Sequence, residues 1–123
     1  MRPTVLVVDD DPIALEVARE RLLRMGYEVN VREQALGTSQ WIVDHQPDYV
    51  LLDVMMPALS GAKLAHFLHQ RGIPAHVILH SSRQSDELEK IAARIGAIGY
   101  ITKGGDDNEF ASEFERIVDT RAW

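Results

Sequence analysis

The feature that most constrains the fold is a regular alternation of short apolar runs with longer segments of helical period. The apolar runs have the length of strands, and we predict strands at residues 4–9, 28–32, 49–53, 76–81 and 99–102. In the segments between them, apolar residues recur every three or four positions, which is the spacing of one face of a helix. Strands that alternate with helices form βαβ units, so the sequence predicts an α/β fold with five parallel strands and five helices.

Local signals mark several helix boundaries. Asp11 can cap the first helix, and Pro12 suits its first position, because the missing N–H would have no partner there. Gly26 can end this helix in a left-handed conformation. The other helices are predicted at residues 38–44 and 61–71, from 85 or 86 to 95, and at 107–121. The helix at 38–44 has the weakest signal, since glycine, threonine and serine at its start have poor helix propensity.

Length and composition exclude several classes of protein. With 123 residues the chain is long enough for one core, and we predict a single domain over residues 1–123. It contains no cysteine, which excludes disulfides, thiol catalysis and cysteine-ligated metal centres. The net charge of −6 disfavours direct binding of nucleic acid. No apolar run approaches the length of a membrane helix, so we expect a cytoplasmic protein without membrane contact.

Polar side chains stand at the carboxyl ends of four predicted strands. They are Asp9 with Asp10 and Asp11, Asp53, Ser81 and Lys103. In open parallel sheets, ligands bind along the edge where the carboxyl ends of the strands lie. Adjacent carboxylates are costly unless a positive group lies among them. Acids, a hydroxyl and an amine together are the groups needed to hold a divalent metal ion and a phosphoryl group.

In the order and spacing of these residues, the chain resembles the receiver domain of two-component response regulators, similar to that of the chemotaxis regulators. The resemblance covers nearly all of the chain and rests on Asp9, Asp10, Asp53, Met56, Pro57, Gly61, Ser81, Tyr100 and Lys103. It implies a flavodoxin-like, doubly wound sheet of five parallel strands in the order 2-1-3-4-5. The chain departs from the family at Gly104 and Gly105, because a proline usually follows the lysine.

The resemblance implies that Asp53 is the phosphoacceptor, which takes a phosphoryl group from a sensor histidine kinase or a histidine phosphotransfer protein. Mg²⁺ is the implied cofactor, held by Asp10 and Asp53, with Asp9 acting through water. The backbone carbonyl of Met55 is the further protein ligand implied for the metal. Such a chain assists its own phosphorylation and is a regulated switch rather than a turnover enzyme.

The resemblance also assigns roles to residues on the last two strands. Lys103 would face the phosphoryl oxygens as a point charge, and Ser81, rather than Ser82, would donate its hydroxyl to another of these oxygens. Tyr100 is the implied switch aromatic, which rotates into the space that Ser81 vacates after phosphorylation. The signal would then pass through the fourth helix, fifth strand and fifth helix to an output domain, a target protein or a second copy of the chain.

Other interpretations remain open from the residues alone. An interaction-only receiver would bind partners without phosphorylation, although the complete set of acids, hydroxyl and amine argues against it. A Mg²⁺ phosphatase of the haloacid-dehalogenase class also forms an aspartyl phosphate, but it has an acid two residues after the nucleophile, where this chain has Met55. Tyr100 could also be a half-buried strand tyrosine without a switch role. We expect His80 to pack beside the site, and His66 and His69 to be solvated.

The two glycines after Lys103 lead to a separate expectation about the loop that follows the fifth strand. A non-proline cis bond costs about 2.5–4 kcal/mol, so we expect a trans bond between Lys103 and Gly104. Consecutive glycines raise the entropy of a loop and make left-handed conformations accessible. We therefore expect residues 103–106 to be mobile, with the Lys103 amine away from Asp53 until a phosphoryl group is bound.

Overall fold

In the computed structural model, which describes residues 2–53, 61–73 and 76–121, strands and helices alternate along the chain as predicted. The strands are β1 (Thr4–Val8), β2 (Glu28–Arg32), β3 (Tyr49–Leu52), β4 (His76–Ser81) and β5 (Gly99–Thr102). The helices are α1 (Pro12–Arg24), α2 (Thr38–His45), α3 (Gly61–Gln70), α4 (Ser85–Ile95) and α5 (Asp107–Arg121). Each predicted boundary agrees with the observed one to within about one residue, which is closer than the usual uncertainty of element ends.

The strands form one parallel sheet in the order β2-β1-β3-β4-β5. The predicted flavodoxin-like α/β fold and its strand order are therefore confirmed. β1 lies between β2 and β3, and it is buried from Val5 to Val8. Parallel strands that are covered on both faces have continuous apolar sequences of this kind, because neither face meets water.

Helices cover both faces of the sheet. α1 and α5 pack on one face, in a cluster that includes Val5, Val7, Leu22, Leu51, Ile78, Ile101, Phe114 and Ile117. α2, α3 and α4 pack on the other face, in a cluster that includes Leu6, Val8, Ile42, Val50, Leu52, Leu64, Leu79 and Ala92. Successive strand side chains point to opposite faces, so each inner strand contributes to both clusters. None of the helices in the described ranges is both long and apolar enough to cross a membrane.

α2 forms although its first residues have poor helix propensity. Thr38 is fully buried, and its hydroxyl donates to the Gln34 carbonyl at 2.9 Å and accepts from Nε of Arg32 at 3.2 Å. The helix continues through His45, one residue further than predicted, and ends at Gln46, which has a left-handed φ of 47°. Hydrogen bonds from outside the helix therefore stabilise a start that intrinsic propensity does not favour.

Candidate functional site

The register between β1 and β3 brings two acidic side chains together. Val8 pairs with Leu52, so the next residues, Asp9 and Asp53, leave the sheet side by side. The Asp53 N–H donates to the Val8 carbonyl at 3.0 Å, which carries the pairing one residue beyond β3. Asp9 is only 1% exposed and Asp53 only 4% exposed. Two of the predicted site residues thus meet at the carboxyl edge of the sheet as buried acids.

Asp10 completes an acidic cluster with these two residues. One carboxylate oxygen from each of Asp9, Asp10 and Asp53 lies within 4.8 Å of the others. Asp10 is exposed, so the cluster is accessible from solvent on its side. Asp11 has a different role, because its Oδ1 accepts a hydrogen bond from the Ile13 N–H at 3.0 Å and caps α1. The cap that the sequence predicted at Asp11 is therefore present.

The donor set of this cluster fits a hydrated divalent cation. Oδ1 of Asp9 accepts from the Asp11 N–H at 3.0 Å, and its Oδ2 is buried and lies 2.7 Å from Nζ of Lys103. Asp10 is exposed beside the two buried acids, so the cluster offers several carboxylate oxygens with access to water. Mg²⁺ prefers a few carboxylate oxygens together with water. The predicted carbonyl ligand, Met55, lies outside the described residues, as do Met56 and Pro57.

The amine of Lys103 lies between the two buried acids. Its Nζ is 2.7 Å from Oδ2 of Asp9 and 3.3 Å from Oδ2 of Asp53, and its side chain is 21% exposed. Burial by itself lowers the pKa of Lys103, but the bond to Asp9 and the charge of Asp53 outweigh it, so the pKa is raised. Lys103 is therefore an ammonium at neutral pH. One ammonium facing three carboxyl groups leaves the cluster formally negative, which favours a further cation.

The position of Lys103 differs from our expectation. The bond to Gly104 is trans, as predicted, and Gly104 has a φ of 101°. The amine, however, already lies against Asp53, so the expected position away from this residue is wrong. The Lys103 N–H donates to the Ser81 carbonyl at 2.7 Å, which extends the pairing of β4 with β5 by one residue. This bond fixes the backbone from which the Lys103 side chain reaches the acids.

Arg21 is a residue near the site that the sequence did not single out. It lies in the last turn of α1, and it donates from Nη2 to the Gly105 carbonyl at 3.0 Å and from Nε to Oδ1 of Asp107 at 2.7 Å. The bond from Arg21 holds the pKa of Asp107 below its ordinary value. Arg19 and Arg24 are arginines on the same helix, and the residues that Arg21 bonds to follow it by 84 and 86 positions. No local signal could therefore have distinguished Arg21 from its neighbours.

Ser81 and Tyr100 lie on the neighbouring strands beside the acids. Ser81 is the last residue of β4, is fully buried, and accepts at Oγ from the Arg83 N–H at 3.3 Å. Ser82 is exposed, so the side chain enclosed at the strand end is that of Ser81. Tyr100 pairs with Leu79 and is partly buried against the cluster formed by α2, α3 and α4. Ser81 and Tyr100 therefore lie on adjacent strands, and the residue pairs to which they belong are two apart.

The histidines occupy the positions expected of packing and solvated side chains. The ring of His80 is buried and packs edge-on against Phe110, with the ring centroids 5.7 Å apart. Burial and the nearby charge of Lys103 lower the pKa of His80 to about 4, so it is neutral at pH 7. His66 and His69 are both exposed on α3.

Comparison with known proteins finds relatives that match most of the chain. The family model described as the response regulator receiver domain matches residues 5–115. The chain is 31% identical over 117 residues to the DNA-binding transcriptional regulator NtrC of Azospirillum brasilense, covering 95% of this chain and 24% of the relative. It is 32% identical over 117 residues to the phosphate regulon transcriptional regulatory protein PhoB of Pseudomonas aeruginosa, covering 94% and 51% respectively. The chain thus spans about a quarter to about half of the length of these relatives.

Solved structures have the same arrangement of strands and helices. A chemotaxis response regulator of Vibrio cholerae aligns with a TM-score of 0.84 at 19% identity, covering 95% of this chain and 99% of that chain. A CheY-like response regulator receiver domain protein of Methanospirillum hungatei aligns with a TM-score of 0.80 at 23% identity, covering 99% and 98%. At these identities the similarity shows the fold alone.

Proposed function

Because the chain belongs to the receiver domain family of response regulators, we propose that it is a phosphorylation-dependent signalling switch with Asp53 as its phosphoacceptor. The observation that carries this proposal is the Lys103 ammonium between two buried carboxylates, Asp9 and Asp53. A buried carboxylate acts as a nucleophile toward a phosphoryl group only when positive groups oppose the negative charge that the phosphoryl group brings. Lys103 is one such group, and it is in place before any donor binds.

The proposed reaction is the transfer of a phosphoryl group from a phosphohistidine to Asp53. A carboxylate oxygen of Asp53 attacks the phosphorus; the new O–P bond forms as the P–N bond breaks, and the imidazole leaves with the bonding electron pair. Phosphoryl transition states are loose, so alignment and neutralisation of the equatorial oxygens supply most of the catalysis. Lys103 neutralises one of these oxygens, and the Ser81 hydroxyl donates a hydrogen bond to another.

Mg²⁺ is the cofactor that the acidic cluster fits. In the proposed site Asp10 and Asp53 would hold the ion directly, Asp9 would hold it through water, and the Met55 carbonyl would be a further ligand. When bound, Mg²⁺ neutralises charge on the phosphoryl oxygens. The three clustered carboxylates and the solvent exposure of Asp10 both support a partly hydrated ion here.

Ser81 and Tyr100 are proposed to couple the site to the surface formed by α4, β5 and α5. After phosphorylation the Ser81 hydroxyl moves toward the phosphoryl group, and the Tyr100 ring turns into the vacated space. Tyr100 is partly buried in the cluster that contains Ala92 of α4, so a rotation of its ring would alter this surface. The proposed partners of the surface are an output domain, a target protein or a second copy of the chain.

The proposed phosphoryl donor is a sensor histidine kinase or a histidine phosphotransfer protein, in the cytoplasm. We propose that residues 1–123 form a single receiver domain. The two relatives named above are transcriptional regulators of which this chain spans about half or less, so the DNA binding named for NtrC is not assigned to this domain. The net charge of −6 likewise disfavours direct contact with nucleic acid.

Labelling by a small phosphodonor tests the proposal. We expect the protein to gain one phosphoryl group by intact mass when it is incubated with acetyl phosphate and Mg²⁺. Asp53→Asn should not be labelled, because the substitution removes the nucleophile and conserves volume. Asp44→Asn, which changes an exposed carboxylate on α2, is the matched control and should be labelled like the wild type.

Two outcomes would contradict this assignment. Labelling of Asp53→Asn at the wild-type level would show that another residue accepts the phosphoryl group. A wild-type protein that is never labelled, yet binds a partner equally well with and without phosphodonor, would favour the interaction-only receiver.

A further inference from the structure

Arg21 on α1 contacts the segment that follows Lys103. Arg21 is 17% exposed, and its guanidinium bonds both to the Gly105 carbonyl at 3.0 Å and to Oδ1 of Asp107 at 2.7 Å. The guanidinium carbon also lies 5.5 Å from the centre of the Phe110 ring, in the first half of α5. Arg21 therefore contacts both the loop and the first turn of α5.

The loop itself has little to fix its conformation. Gly104 and Gly105 have no side chains, and Gly104 is in a left-handed conformation with a φ of 101°. Glycine loses more conformational entropy on ordering than any other residue, so this loop needs external contacts to stay in one conformation. On the strand side the contact is the Lys103 N–H, which donates to the Ser81 carbonyl at 2.7 Å. On the helix side the contact is Arg21.

Arginine suits this position because its donors form a rigid planar fork. Two of its N–H groups reach a backbone carbonyl and a carboxylate together, which a lysine ammonium cannot reproduce with the same geometry. Arg24, one turn nearer the end of α1, makes a useful comparison. It also pairs with Asp107, at 2.9 Å, but it is 63% exposed.

We infer that Arg21 is a positioning residue that holds the backbone after Lys103, and so keeps the Lys103 ammonium against Asp9 and Asp53. The inference rests on the proposed function, because it assigns Arg21 to the alignment of a group in the same site. Alignment matters strongly in phosphoryl transfer, and small displacements of a charged group can reduce the rate by one or two orders of magnitude.

The test compares Arg21→Lys with Arg24→Lys, which both keep the positive charge. The rate of labelling by acetyl phosphate is measured over a range of Mg²⁺ concentrations. We expect Arg21→Lys to lower the maximal rate by about ten-fold while the half-saturating Mg²⁺ concentration stays the same. Arg24→Lys should match the wild type in both quantities. A general loosening of the site would instead weaken Mg²⁺ binding, so the two quantities separate positioning from a structural defect.

Hydrogen exchange at the Lys103 amide gives a second readout that needs no phosphorylation. Faster exchange in Arg21→Lys than in Arg24→Lys would support the inference even if the wild type is not labelled. Absence of labelling in the wild type would count only against the proposed function. Equal exchange in the two variants, or equal maximal labelling rates, would overturn the inference and leave the assignment of Asp53 intact. A raised half-saturating Mg²⁺ concentration in Arg21→Lys would also overturn it, because the defect would then lie in the metal site.

Discussion

Replacing Lys103 by methionine tests how much the ammonium between the buried acids contributes to the stability of the fold. Methionine keeps most of the aliphatic length and removes the charge, which leaves Asp9 and Asp53 facing each other without a counter-ion. Removing one member of a buried ion pair costs about 3–5 kcal/mol. Lys103 is 21% exposed and the cluster is open beside Asp10, so we expect a smaller loss of about 2–3 kcal/mol.

This loss corresponds to a large shift in melting temperature. Unfolding entropy is about 2.1 cal/mol/K per residue, which gives about 0.26 kcal/mol/K for 123 residues. The expected fall in Tm is therefore about 8–12 °C, measured by circular dichroism at neutral pH with a chelator present. Lys90→Met, which removes an exposed lysine on α4, is the matched control and should shift Tm by no more than about 2 °C.

The difference in Tm between the wild type and Lys103→Met should depend on pH with a defined sign. The pKa of Lys103 is raised above its ordinary value of 10.5 in the folded protein, so its contribution is fully present below this pH and is lost as pH rises through the folded value. The gap in Tm between wild type and Lys103→Met should stay constant from about pH 7 to pH 9 and should narrow as pH rises further. Mg²⁺ should reduce the difference in Tm between the two proteins at neutral pH, because a bound cation replaces the missing charge of Lys103. A variant that melts at or above the wild-type temperature without Mg²⁺ would refute this reasoning.

Two further predictions concern the metal and the lifetime of the phosphorylated state. Mg²⁺ at millimolar concentration should raise the Tm of the wild type and not that of Asp10→Ala, and a wild-type Tm indifferent to Mg²⁺ would argue against a preformed site. We also predict slow hydrolysis of phosphorylated Asp53. Met55 and Arg83 stand two positions after Asp53 and Ser81, where receiver domains have the residues that flank the path of the hydrolytic water. Neither is a carboxylate or amide suited to orienting that water, and the Arg83 guanidinium pairs with Glu87 at 2.6 Å. A half-life of a few seconds that does not change in Met55→Asn would show that these positions do not control the rate.

The acidic part of the site could be predicted from the sequence, because the acids directly follow the predicted strands. Asp9 and Asp53 each follow an apolar run, and parallel pairing brings such ends together. The position of Lys103 could not be predicted, because one of the contacts that hold its loop joins residues far apart in sequence. Arg21 and Gly105 are separated by 84 positions. Local reasoning sees two glycines and places the Lys103 amine away from Asp53, whereas the loop is bonded to another helix and the amine contacts Asp53.

The start of α2 is also not explained by the helix propensity of its residues. Its position could be predicted to within about one residue, since the bulky apolar residues within it are a local signal. What stabilises its start is not expressed in helix propensity, because the Thr38 hydroxyl is bonded to the Gln34 carbonyl and to the side chain of Arg32, which both precede the helix. Low propensity predicted a weak helix where nearby side chains in fact support it.

The pairing of Val8 with Leu52 has a consequence for how chains of this kind can change length. Neighbouring strands lie about 4.7–4.9 Å apart, so the backbone itself, rather than any side chain, sets the spacing between Asp9 and Asp53. Inserting or deleting one residue within β1 would turn the following side chains of that strand to the opposite face of the sheet. It would also carry Asp9 away from Asp53. Length variation should therefore be tolerated in loops at the amino ends of the strands, and eliminated from β1 and β3.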